Sequence, residues 1–252
     1  MQNKVEQISV VMSVKNGEQY VTKAAESILN QTFSNFEFII VNNDSNDKTQ
    51  EILSNLEKQD NRIQILTNTN NEKPSEGRMT GINHAKHEWI ALMDADDESH
   101  PERLQKQIEF INNSEIENLA VVSTYGKFIN SDGKKIFNLS LGPINLNDFK
   151  KIYLSNENVA IMDPSTMFRK SAFLKVGGYL RETFAFDLDL NYKIAEAGYV
   201  IQTINLRLYF YRVHSGSYSV KSSMKQREMS HFVNYNMRQR RSGKNEITKK
   251  QF

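Results

Sequence analysis

The chain has 252 residues, with 32 lysines and arginines against 30 aspartates and glutamates and no cysteine. That length buries one substantial core, and the near-balance of charge excludes a molecule built as a whole to bind nucleic acid. There is no disulfide framework and no thiolate metal site, which fits a reducing compartment, and no apolar run reaches the ~18 residues of a membrane span. Met1 to Gln7 is polar rather than signal-like, so the expected location is cytoplasmic or peripheral at the inner face of a membrane.

Ile8 to Val14 is β-branched and apolar on both faces, the pattern of a central strand covered by helices. A polar turn at Lys15-Asn16-Gly17 ends it, and Val21, Ala24, Ala25, Ile28 and Leu29 then recur at helical spacing. Phe36 to Val41 reads as a second buried strand. Asp47 with Gln50 three residues on resembles a capping box, opening the helix that carries Ile52, Leu53 and Leu56. A third strand at Ile63 to Thr67, a helix across Gly77 to Ala85 and a strand from Trp89 to Asp94 follow. This alternation predicts an α/β fold with a Rossmann-like, mostly parallel sheet.

In such a sheet ligands bind beyond the carboxyl ends of the strands. Ser13, Lys15, Asn16, Asn42, Asn43 and Asp44 follow the first two strands, and Asp94-Ala95-Asp96-Asp97 ends the fourth, so all share one crevice. Crowded carboxylates repel one another, and a divalent cation with a preference for oxygen ligands holds them ionised. The run therefore suits a metal and diphosphate site; it equally suits a solvated acidic loop capping the helix that starts near Pro101. The glycine-rich dinucleotide turn and the glycine-lysine phosphate loop are both absent, so a nucleotide here is held by metal and side chains.

Beyond Pro101 the strict alternation stops. Leu104, Ile108 and Ile111 mark a helix, Ala120 to Thr124 a strand, and Ser131-Asp132-Gly133-Lys134 a hairpin turn. Leu146, Phe149, Ile152 and Tyr153 mark another helix. Ser165 to Arg169 reads as a short strand, Gly177-Gly178 as the stop of the segment ending at Val176, and Ala185 to Gly198 as a helix opened by Asp187 and Asp189. The expected organisation is one domain over residues 1–218, with a nucleotide half to about residue 100 and an acceptor half beyond it. A basic tail, helical or disordered, covers 219–252.

In this order, Val14-Lys15-Asn16-Gly17, Asn43-Asp44-Ser45-Asn46-Asp47, Arg78-Met79-Thr80-Gly81, Asp94-Ala95-Asp96-Asp97, Pro164-Ser165, Gly177-Gly178-Tyr179, Asp187-Leu188-Asp189 and Tyr211-Arg212-Val213-His214 resemble the family 2 glycosyltransferases. The resemblance covers roughly residues 8–218. It implies a single GT-A-like domain and inverting transfer of a sugar from a nucleotide diphosphate, by default a UDP-sugar, to a hydroxyl of a glycan or lipid-linked saccharide. Cell-surface polysaccharide or lipopolysaccharide synthesis is the implied setting. It further implies Mn²⁺ or Mg²⁺ on Asp96 and Asp97 with His214 as a further ligand, Asp94 toward the ribose, Arg78 beside the diphosphate, and Ser13, Lys15 and Asn43 on the nucleotide. Asp187 becomes the catalytic base. Lys15 stands where most members have an aromatic, Asn42 and Asn43 where they have aspartates, Met79 where they have asparagine and Phe186 where they have glutamate.

Taken without the resemblance, Arg78 also suits a helix surface, Asp187 and Asp189 a helix N-terminus favouring negative charge, and His214 a plain surface position. A degenerate nucleotide-binding relative is the alternative to an enzyme. A nucleotidyltransferase would need a basic, glycine-rich first loop, and a phosphohydrolase using Asp94 would need threonine where Glu98 stands. The tail's Lys225, Arg227, Arg238, Arg240, Arg241, Lys244, Lys249 and Lys250 either meet anionic lipid or form a solvated end.

Overall fold

The structure, a computed structural model, describes residues 4–69, 74–155, 157, 159–179 and 184–252. The first half runs β1 (Ile8–Val14), α1 (Val21–Leu29), β2 (Phe36–Asn43), α2 (Thr49–Gln59), β3 (Ile63–Asn68), α3 (Pro74–His84) and β4 (Trp89–Asp94). Its strands lie in the order β3-β2-β1-β4, all parallel. The chain continues through β5 (Glu98–Ser99), α4 (Arg103–Asn112), β6 (Leu119–Ile129), β7 (Lys135–Leu139) and α5 (Leu146–Leu154). A 3-10 turn at Asp163–Ser165 leads to β8 (Met167–Arg169) and α6 (Lys170–Lys175), followed by α7 (Phe186–Glu196), β9 (Val200–Arg212), α8 (Tyr218–Lys221) and α9 (Ser223–Arg241). Beyond β4 the sheet becomes mixed: β8 is antiparallel to β4 and β6, and β6 is parallel to β9.

The apolar runs of β1 and β2 are buried on both faces, as their lack of alternation demands. Helix α3 lies directly on these two strands, and glycine sets how close it comes. A Cβ at Gly81 would meet Val11 Cγ1 at 2.5 Å, and one at Gly77 would meet Asn43 Nδ2 at 2.1 Å and Ser13 Oγ at 2.2 Å. The amino end of α3 therefore presses onto the ends of β1 and β2, which delivers Arg78 into the crevice. Gly177 and Gly178 stop α6 as expected: both have positive φ, and their N–H groups return to the carbonyls of Leu174 and Phe173.

Three expectations change. The capping box does not close: Asp47 accepts the Thr49 N–H, but Gln50 Oε1 is taken by Asn42 Nδ2 at 2.7 Å. The strand expected from Ser165 begins at Met167, because Asp163–Ser165 forms a turn with proline in its first positions. The thirteen-residue β9 was not expected as a strand, although Ile204, Leu206 and Leu208 alternate with polar residues; it pairs with β6 and carries the chain back to the carboxylate loop. The basic segment after residue 218 is largely helical. Met229, Phe232, Val233 and Met237 of α9 pack with Ala185 and Tyr192 beside α7. Arg240 pairs with Glu196 at 2.6 Å and Glu246 at 2.5 Å, and Arg241 donates to the Tyr153 carbonyl at 3.0 Å. These two arginines brace the helix.

Candidate active site

The crevice lies at the carboxyl ends of β1, β2 and β4. Parallel register sets Ser13 beside Asp94. The loops after β1 and β2 are locked together: Asn16 N–H donates to Ser45 Oγ, Gly17 N–H to Thr49 Oγ1, Glu18 N–H to Asp47 and Asn46 N–H to Asn16 Oδ1. Asn16 and Asp44 take positive φ at the two turns, a conformation that short polar side chains tolerate better than other non-glycine residues. Asn43 is buried. Its Nδ2 donates to Ser13 Oγ at 2.6 Å and its Oδ1 accepts from Asn68 Nδ2 at 3.0 Å, so both ends of the amide are held by protein. Lys15 lines a polar cavity of about 600 Å³ with Asn16, Tyr20, Ser131, His214 and Lys221.

Among the three carboxylates that end β4, the structure divides the roles. Asp96 Oδ2 lies 3.0 Å from His214 Nε2, and His214 packs against the Tyr20 ring. Asp97 turns into the core, where its Oδ1 accepts the Arg212 N–H at 2.7 Å and its Oδ2 has no hydrogen-bond partner among the described residues. Asp97, expected as a metal ligand, is held at the back of the loop by the backbone of β9. Among the described residues no group of three histidine or acidic side chains is arranged to hold a metal. The Asp96 and His214 pair has the chemistry to contribute to a divalent-cation site: a carboxylate oxygen and an imidazole nitrogen 3.0 Å apart would both suit Mn²⁺. Burial, and then the charge of Asp94, hold Asp96 above the usual carboxylate range, while His214 opposes the rise.

Arg212, which the motif pieces include without a role, is the support of this loop. It is 1% exposed. Its Nε donates to the Asp96 carbonyl, its Nη1 to the carbonyls of Asn130 and Ser131, and its Nη2 to Glu98. The guanidinium also lies over the Tyr20 ring. An arginine closing the Leu208-Tyr209-Phe210-Tyr211 run is the one sequence signal that marks it.

Arg78 was expected against the diphosphate, but the structure gives its fork to two carboxylates. Nη2 donates to Asp94 Oδ1 at 2.6 Å and Nη1 to Asp163 Oδ2 at 2.5 Å. Burial acts to lower the affinity of Arg78 for its proton, and Asp94 and Asp163 outweigh it. Asp163 precedes the quoted Pro164-Ser165 and was missed, since an aspartate before proline reads as an ordinary turn. The Arg78 guanidinium sits 5.6 Å from the ring of Phe186, the residue before Asp187. Asp187 is half-buried at the head of α7, and burial, followed by the charge of Asp163, pushes it up to about 7. A carboxylate so placed takes a proton at neutral pH far more readily than an ordinary aspartate.

A single curled α/β sheet with strand-end carboxylates and an acid heading a later helix is the arrangement of the GT-A glycosyltransferases. The fold resembles S. aureus TarS in complex with UDP-GlcNAc, with a TM-score of 0.70 at 20% identity over 90% of this chain and 65% of that one. It also resembles the mannosyltransferase PcManGT from Pyrobaculum calidifontis in complex with GDP-Man and Mn²⁺, with a TM-score of 0.67 at 16% identity over 90% of this chain and 63% of that one.

Residues 9–177 match the glycosyl transferase family 2 model, and the chain belongs to that family. It is 32% identical over 245 residues to the O-antigen biosynthesis glycosyltransferase WbnJ of Escherichia coli, covering 91% of this chain and 93% of WbnJ. An uncharacterized glycosyltransferase of Methanocaldococcus jannaschii is 34% identical over 170 residues, 67% of this chain but only 57% of that protein. No helix among the described residues is long and apolar enough to cross a membrane.

Proposed function

We propose that the protein is an inverting glycosyltransferase that moves a sugar from a nucleoside diphosphate, by default UDP, to a hydroxyl of a glycan or lipid-linked saccharide in cell-surface polysaccharide synthesis. The observation that carries this reading is Asp187, heading α7 in buried and negatively charged surroundings that keep its proton affinity near neutral pH. The O-antigen assignment of WbnJ supports the class of acceptor, and UDP-GlcNAc and GDP-Man in the two structural relatives support the class of donor.

In this mechanism Asp187 removes the proton from the acceptor hydroxyl as its oxygen bonds to the anomeric carbon. The bond from that carbon to the diphosphate breaks on the opposite face, so the nucleoside diphosphate leaves and the anomeric configuration inverts. Ser13, Lys15, Asn43, Asp94 and Asp96 line the nucleotide side. Arg78 keeps Asp94 in place from behind. Asp96 and His214 would hold Mn²⁺ or Mg²⁺, which neutralises diphosphate charge when bound. Screening nucleotide sugars with saccharide acceptors for metal-dependent release of free nucleotide tests the reading; nucleotide binding without release of nucleotide would make the protein a non-catalytic relative.

The exposed Lys221, Met224, Lys225 and Arg227 offer an anionic bilayer both charge and apolar contact. Peripheral binding through α8 and the start of α9 belongs to the same proposal, and sedimentation with phosphatidylserine vesicles checks it: reversal of Lys221 and Lys225 to glutamate abolishes binding if it holds.

A further inference from the structure

We propose that Asp163 is a positioning residue of the transfer reaction: it occupies the arm of Arg78 that would otherwise capture Asp187, and so keeps the base available to the acceptor. This rests on the reading of Asp187 as the base.

The geometry is a short chain of charges across the crevice. Arg78 reaches from the amino end of α3 and is 7% exposed, so its cation cannot be satisfied by water. One arm goes to Asp94 at the end of β4 and the other to Asp163 in the turn before β8, with contacts of 2.6 and 2.5 Å. The guanidinium also stands over Phe186, and Tyr179 meets the same ring edge-on at 4.8 Å. The groups facing Asp187 come from several elements. They are Asp163 from the turn, Arg78 from α3 and Tyr179 from the segment after α6, with Asp94 of β4 behind Arg78. From α9, Lys225 lies over Phe184, and two residues on in α7 Asp189 is paired with Lys193 and Arg240.

Without the carboxylate of Asp163, the second arm of a buried guanidinium has Asp187 as its remaining acidic neighbour. A base drawn into that pair loses proton affinity and the freedom to meet a hydroxyl. Asp163 acts twice in the same direction: its charge opposes ionisation of Asp187, and its bond to Arg78 removes the competing cation arm. Burial of Tyr179, whose hydroxyl has no hydrogen-bond partner among the described residues, keeps that phenol protonated beside the pair.

Asp163→Asn keeps shape and removes charge. Its expected effect is a fall in kcat of about tenfold or more with donor KM little changed, together with a downward move of the acid limb of kcat/KM by about one pH unit or more. Asp163→Glu retains the charge and keeps the limb near its native position. If the amide variant does not fold, Asp163→Thr, neutral and still able to accept from Arg78, takes its place with the same expectation. An acid limb that stays put in the neutral variant overturns the inference, because a residue that only braces the fold changes stability and leaves the limb alone. Native turnover and its loss in Asp187→Asn test the base separately; if both hold and the limb does not move, only the role of Asp163 falls. If Asp187→Asn turns over normally, the base reading falls and this inference with it.

Discussion

The backbone N–H of Arg212 donates to Asp97 Oδ1 at 2.7 Å across 115 positions of sequence, and this bond holds the Asp97 side chain inward. With Asp97 drawn inward, Asp96 is the carboxylate left beside His214. Asp96→Asn is expected to weaken Mn²⁺-dependent UDP binding by about tenfold or more, roughly 1.4 kcal/mol or more. Asp97→Asn retains an acceptor for Arg212 and leaves that metal dependence largely intact. Calorimetry with UDP, with and without Mn²⁺, separates the two; equal losses would return Asp97 to the ligand set.

Arg212→Met removes the cation that joins the carboxylate loop to the β6 and β7 hairpin and leaves Glu98 and three carbonyls short of a donor. A loss of about 3–5 kcal/mol of stability is expected, the scale for breaking a buried charged network. Denaturant unfolding measures it. A change near zero would mean that water replaces the guanidinium without cost.

The close approach of α3 predicts a defect from a single methyl group. In Gly77→Ala the new Cβ falls on Asn43 Nδ2 and Ser13 Oγ at 2.1 and 2.2 Å, so the helix must lift or the pair must part. Stability is expected to fall by about 1–3 kcal/mol, and nucleotide affinity with it. An unchanged melting temperature together with unchanged UDP affinity would show that the α3 contact is looser than this.

Asn43→Asp keeps the surroundings it needs, since the Ser13 hydroxyl and Asn68 Nδ2 can both donate to a carboxylate. Asparagine presents both a donor and an acceptor, whereas an ionised aspartate only accepts; that favours the N3–H of uracil over the acceptor N3 of cytosine. The variant is expected to sharpen the preference for UDP over CDP by roughly 1–3 kcal/mol. Equal preferences in the two proteins would place the base elsewhere.

Local patterning carried the first half of the fold. Apolar runs without strict alternation marked β1, β2 and β4 as buried on both faces, and helical spacing of Val21, Ala24, Ala25 and Ile28 marked α1, because both signals lie within a few residues. The strand-end rule likewise placed Ser13, Asn43 and Asp94 in one crevice. What stayed hidden depends on distant contacts. Spacing cannot tell which of Asp96 and Asp97 turns inward, since Arg212 on β9 decides it. Nor can spacing show that Asp163, 85 positions away, holds one arm of Arg78. Arg240 and Arg241 read as a basic surface until α9 folds against Glu196 and Tyr153.

The central claim is that Asp187 takes the acceptor's proton, and because the base must be ionised, activity rises with pH through its titration near 7 and falls below it. The measurement that tests this most directly is acceptor-dependent nucleotide release across pH by the native protein and by Asp187→Asn. Native kcat/KM is expected to show an acid limb near neutral pH. The variant is expected to lose roughly 10²–10⁴-fold in kcat with donor binding nearly intact. Ordinary turnover in Asp187→Asn, with the acid limb unchanged, would contradict the account.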